Sequence, residues 1–162
     1  MKMFIFLGTL FITVITGCAG KKTPPADLFN QQASLPAGLS FHPLEWKVIS
    51  SSFSKSSKTM STLYGNDLAV TYARSGKGTT YPAGAELALV TWNQQEDQHW
   101  FGANIPATVR SVEHVSFPAT GSAGPLYEMY NGASLEKAGS ADTLMAQQRM
   151  AYIVAQKASV MP

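Results

Sequence analysis

The run Ala85-Glu86-Leu87-Ala88-Leu89-Val90-Thr91-Trp92 carries apolar side chains on both parities of an extended chain. Successive side chains of a strand point to opposite sides, so Leu87, Leu89 and Thr91 share one face and Ala88, Val90 and Trp92 the other. A strand that is apolar on both faces belongs near the centre of a sheet covered on both sides. Outward from it, residues 45–53, 59–64, 109–117 and 126–130 read as further strands. Gly65-Asn66 stops the second of these, and Asn66 or Asp67 is placed to cap a short helix over residues 68–73. Gly76, Gly78, Pro82 and Gly84 mark a long loop, and residues 94–98 read as a polar turn. Ser140 is placed to cap a closing helix that runs to about Ala158, with Ala146, Met150, Ile153 and Val154 along one stripe. Such a helix would be about 27 Å long. Strands in succession, with helices only in the middle and at the end, predict an α+β fold. The sheet is mostly antiparallel, and a short central helix and a C-terminal helix pack on it.

The N-terminus has a different character. Lys2 precedes an apolar run, residues 3–15, too short to span a bilayer with its need for about 20 apolar residues, but suited to the core of a signal peptide. The run ends in Ile15-Thr16-Gly17-Cys18, which resembles the bacterial lipobox. Small residues there would let a peptidase reach the backbone, and the Cys18 thiol would accept the lipid. Residues 1–17 are therefore expected to be a lipoprotein signal peptide. Residues 18–34, with Thr23-Pro24-Pro25-Ala26, are expected to form the anchor and tether, and 35–162 one domain. Acyl chains on Cys18 would make a membrane its first partner. Ala19, rather than Asp, follows Cys18, which in a Gram-negative cell implies the outer membrane, with the domain facing the periplasm.

Twelve basic against ten acidic residues give a formal charge of +2 with no basic stripe, so nucleic acid is not an expected partner. Cys18 is the one cysteine, which leaves no intramolecular disulfide. The three histidines lie far apart in sequence. His42 sits beside Pro43, His99 follows Glu96-Asp97-Gln98, and His114 shares a strand face with Val112 and Ser116. Each reads either as a loop or packing residue or as a weak candidate ligand; if its loop folded back, Asp97 would orient the His99 ring. No spacing matches a metal motif, and no nucleophile elbow, phosphate loop or C-x-x-C stands out, so no catalytic or metal residue is assigned. Trp46, Trp92, Trp100, Phe101 and most tyrosines read as core, although some could line a pocket for a flat ligand.

Tyr81-Pro82-Ala83-Gly84, continuing into the strand 85–92, resembles the cytochrome P460 domain family. Leu44-Glu45-Trp46-Lys47-Val48-Ile49 and Thr62-Leu63-Tyr64-Gly65-Asn66 support this in the right order, over roughly residues 35–130. The closing segment, residues 149–156, is similar to that of lipoprotein-type members that end without a haem motif. The resemblance implies a cytochrome P460-like antiparallel sheet with helices, a periplasmic setting and often a homodimer. It also implies a haem held through C-x-x-C-H that oxidises hydroxylamine or binds nitric oxide. Here residues 132–162 contain neither Cys nor His, and the position of the haem-linking lysine, five residues after Gly84, is Leu89. The expectation is accordingly a module without a cofactor and without enzymatic activity, one that binds an unidentified small molecule or a partner. The alternative is a non-covalent haem protein using His42, His99 or His114 as axial ligand.

Overall fold

The computed structural model describes residues 29–118, 124–139 and 143–159. Cys18, the signal segment and the Ser140 cap lie outside the described residues. Six strands, β1 (Lys47–Ser54), β2 (Thr59–Gly65), β3 (Glu86–Glu96), β4 (Asn104–Ser116), β5 (Leu126–Asn131) and β6 (Glu136–Lys137), form one sheet in the order 1-2-3-4-5-6. Every pairing is antiparallel. Two helices, α1 (Asp67–Ser75) and α2 (Thr143–Val154), complete the α+β fold that the pattern predicts.

The run 85–92 lies where its two apolar parities require. On one side Leu87 and Leu89 join Ile49, Leu63, Val115 and Ile153 beneath α1 and α2. On the other, Ala88, Val90 and Trp92 join Phe41, Val109, Val112 and Leu135. No helix covers this second face among the described residues. A strap from Asn30 to Trp46 does so instead, through two short 3₁₀ turns, Gln31–Ala33 and Pro43–Glu45. The Trp92 indole N–H donates to Ala33 O at 2.8 Å, and the Asn30 amide donates to Pro106 O at 2.6 Å. Packing against the sheet thus begins by Asn30, within the stretch read as tether.

Local chemistry explains where α1 sits. Asn66 Oδ1 accepts from the Ala69 N–H at 3.0 Å, capping the helix, while its amide donates to Gly84 O at 2.8 Å. One side chain therefore fixes the helix start against the entry to β3. Gly65 allows the close approach, since a Cβ there would lie 2.7 Å from Ile49 Cδ1 and 3.0 Å from Ala69 Cβ. Gly76, with φ of 66°, closes the helix in the left-handed cap position that glycine adopts without strain. The Lys47–Asp67 pair alongside is exposed at both ends, so it contributes little.

Two expectations change. Residues 94–96 are not a turn: β3 continues to Glu96, pairing Gln94 with Pro106 and Glu96 with Asn104. Asn93 is the last residue of β3 opposite β2, so beyond it β3 and β4 form a two-stranded ribbon. Water reaches both faces of such a ribbon, and a polar strand is stable there. The closing helix ends at Val154, about 18 Å long, because the chain leaves it to reach the sheet edge, where Ser159 N–H donates to Ile49 O at 2.7 Å. Its stripe holds: Ile153 is fully buried, and Met150 and Val154 pack against the core. Among the described residues no helix is long and apolar enough to cross a membrane.

Candidate functional site

The helical face of the sheet is built in cross-strand rows. Gly65, Leu87, Val115 and Tyr127 form one, and Leu63, Leu89, Glu113 and Met129 the next. The third is wholly polar: Ser52, Ser61, Thr91, Ser111 and Asn131. The helices lie over the first rows and stop short of the third. There the sheet floors an open basin of about 520 Å³, with Leu89, Glu113 and Met129 at its inner edge and Arg110, Arg149, Tyr152 and Phe53 at its sides. Ser61 and Thr91 share a hydrogen bond at 2.9 Å, and Ser57 and Thr59, further along the floor, share one at 2.8 Å. Hydroxyls both donate and accept, so this floor suits a small polar solute better than a flat apolar one. Arg110 is exposed and has no ion-pair partner among the described residues, which leaves a cation at the rim.

Glu113 is the buried charge of this face, 2% exposed. Arg149 of α2 grips it with two bonds, Nε to Oε2 at 2.9 Å and Nη2 to Oε1 at 2.6 Å, and Tyr127 donates to Oε2 at 2.6 Å. Burial, reinforced by that carboxylate, pushes the Tyr127 phenol far above its ordinary range. The hydrogen bonds to Glu113 likewise hold the Arg149 guanidinium in its charged form. The Arg149 guanidinium also lies over the Tyr152 ring, 4.9 Å from its centroid. Three donors meet this one carboxylate, so it serves to fix α2 across the sheet and set one wall of the basin. Its signal was present in the sequence. Glu113 and His114 are adjacent in a strand with two buried faces, so one of them had to point toward each core.

The structure does not bring the three histidines together. His42 is exposed at the start of the second 3₁₀ turn, and His99 is exposed at the β3–β4 tip. Asp97 accepts there from the His99 backbone N–H at 2.8 Å, so it orients the loop and not the ring. His114 is buried on the strap face, stacked on Phe41 at 4.0 Å between ring centroids. Its Nε2 lies 3.1 Å from Glu86 Oε2, and its Nδ1 lies 3.8 Å from Glu128 Oε2. The packing reading of that residue is the one the geometry matches. Lys137 bonds to Glu128 and keeps that carboxyl below its ordinary range. The aromatic expectation divides. Trp92 is buried, but Trp100 and Phe101 are 72% and 109% exposed, because the ribbon carries them beyond the covering layers. Among the described residues, no group of His, Cys, Asp and Glu has a metal-ligating arrangement.

A larger cleft, about 770 Å³, opens between the C-terminal ends of α1 and α2. Its wall mixes small residues, Ala73, Gly76, Gly78, Ala155 and Ala158, with Arg74, Thr79, Tyr81, Gln156, Lys157 and Ser159. The basin is the better candidate because the sheet itself floors it with hydroxyls and Leu89, where the resemblance places the family's haem-linking lysine, lies at its inner edge.

A single antiparallel meander with helices on one face and a basin beside them defines an α+β domain. The model of the Cytochrome P460 family matches residues 44–157, and the chain belongs to that family. The match runs beyond the strands and through α2. No curated protein matches the chain.

Leu89, the position at which the family resemblance expects the haem-linking lysine, lies at the inner edge of this basin. The residues around it do not fit a histidine-ligated haem. Hydroxyls make up the floor, and His42, His99 and His114 are all absent from the lining.

Proposed function

We propose that this protein is a lipid-anchored, periplasmic member of the cytochrome P460 family whose basin binds a small polar solute in place of a haem. The observation that carries the reading is the Ser52–Ser61–Thr91–Ser111–Asn131 row. It places five polar side chains side by side beyond the rows that pack under the helices, and four of them, Ser52, Ser61, Thr91 and Ser111, line the basin. With Arg110 at the rim, the chemistry favours a solute with hydroxyls or an oxyanion over the apolar or aromatic ligand that the aromatic content alone would imply. Anchoring rests on the Ile15-Thr16-Gly17-Cys18 sequence, and placement in the outer membrane on Ala19.

Calorimetric titration of the mature protein with phosphate, short hydroxy acids and polyols tests the binding reading. Saturable heat is expected, with affinity falling about five- to tenfold in Thr91→Val and in Ser111→Val, since each substitution removes a hydroxyl partner worth roughly 1–1.5 kcal/mol. Binding unchanged in both variants would refute the site. Intact mass of the protein taken from its own membrane tests the anchor: acyl chains on Cys18 are expected, and a bare thiol would refute it.

A further inference from the structure

We propose that the β3–β4 hairpin tip is a second membrane contact, inserting Trp100 and Phe101 into the lipid–water interface of the bilayer that holds the anchor. The inference rests on the lipoprotein reading of Cys18 and adds an orientation to it. The ribbon from Gln94 to Glu96 carries the tip three residues, about 10 Å, past the last β2–β3 pair, Thr59 with Asn93. The loop is shaped to present its rings. Asp97 N–H donates to Ala103 O at 2.9 Å, Ala103 N–H donates to Trp100 O at 3.0 Å, and Gly102 takes φ of 78°. Trp100 and Phe101 then point away from the protein, 72% and 109% exposed.

What covers them follows from where the chain enters the domain. Asn30 is bonded to Pro106 O, two residues from the start of β4 and hence beside the hairpin tip. Phe29, immediately before it, is 70% exposed. The described chain therefore begins at the end of the sheet that carries Trp100 and Phe101, and twelve residues lead back from Asn30 to Cys18. A chain of that length reaches at most about 40 Å fully extended, and a flexible one averages roughly 20 Å. An anchor on Cys18 thus holds this end nearer the lipid than the opposite one. The tether keeps the local concentration of lipid high, so two rings suffice where they would bind weakly alone. The hairpin tip carries Glu96 and Asp97 and neither Lys nor Arg. The contact is therefore apolar and interfacial, the setting tryptophan favours, and it needs no anionic lipid.

The test uses the mature, acylated protein reconstituted into phosphatidylcholine vesicles with and without bromine on the acyl chains. Trp92 is buried and Trp46 half-buried, so the Trp100 emission is obtained as the difference between the wild type and Trp100→Leu. That difference is expected to lose most of its intensity in brominated vesicles and to be shielded from aqueous iodide, at low and high salt alike. A Trp100 signal that remains open to iodide and unquenched by bromine, on protein whose mass shows the acyl chains, overturns the insertion and leaves the anchor standing. It would direct the tip to a protein partner instead. Protein without acyl chains removes the anchor and this inference together. Trp100→Leu replaces an exposed ring, so its melting temperature should match the wild type.

Discussion

Replacing Arg149 by methionine tests how α2 is held. The substitution keeps most of the aliphatic stem and removes the two charge-assisted bonds to Glu113, whose side chain is 3% exposed. Stripping one partner from a fully buried pair costs about 3–5 kcal/mol. The Arg149 side chain is 41% exposed, so water can follow the lost guanidinium and Tyr127 still donates. A loss of about 2–3 kcal/mol is therefore the expected result, at the lower edge of the range for buried pairs. With a urea dependence of 1–3 kcal/mol per molar, the unfolding midpoint should fall by roughly 1–2 M. The double variant Glu113→Gln/Arg149→Met removes the stranded charge and keeps an acceptor for Tyr127. It should recover part of the loss, a coupling of about 1–2 kcal/mol. A loss under about 1 kcal/mol, the range of an exposed surface pair, would refute the role given to Glu113.

Asn66→Ala removes the α1 cap and the bond to Gly84 O together, and should lower stability by about 1–2 kcal/mol in urea unfolding, with Asn66→Asp restoring the cap alone. Gly65→Ala forces a methyl against Ile49 and Ala69 and should cost about 1–3 kcal/mol by thermal unfolding, relieved when Ile49→Val is added. The raised Tyr127 phenol contributes stability that is complete below the unfolded tyrosine value of 10.0 and is lost as pH climbs beyond it. The wild type should then lose stability above about pH 10 more steeply than Tyr127→Phe, and its tyrosinate absorbance at high pH should contain a late component that this variant lacks.

The central strand, the antiparallel sheet and the α1 cap were legible because each depends on near neighbours. Residues 85–92 declare two covered faces by parity alone, and Gly65-Asn66 joins a strand stop to a helix start within two positions. The α2 stripe was legible for the same reason, although its end was not, since Ser159 leaves the helix for a bond to Ile49. The polar row was hidden. Ser52, Ser61, Thr91, Ser111 and Asn131 come from five strands, and only the register places them together. Thr91 was read on the face of Leu87 and Leu89, but nothing in one strand says that its neighbours there are hydroxyls. The Arg149–Glu113 clamp needed the same register together with the crossing of α2. Trp100 and Phe101 misled because aromatic content signals burial in general, while exposure here depends on the ribbon outrunning the rest of the sheet.

Amide chemical-shift mapping of the isotope-labelled mature protein, titrated with phosphate, hydroxy acids and polyols, asks where this fold does its work. Saturable shifts confined to Ser52, Ser61, Thr91, Ser111 and the facing residues of α2 are the predicted result. Shifts gathered around His114 and Phe41 on the strap face, or no saturable shifts at all, would contradict it.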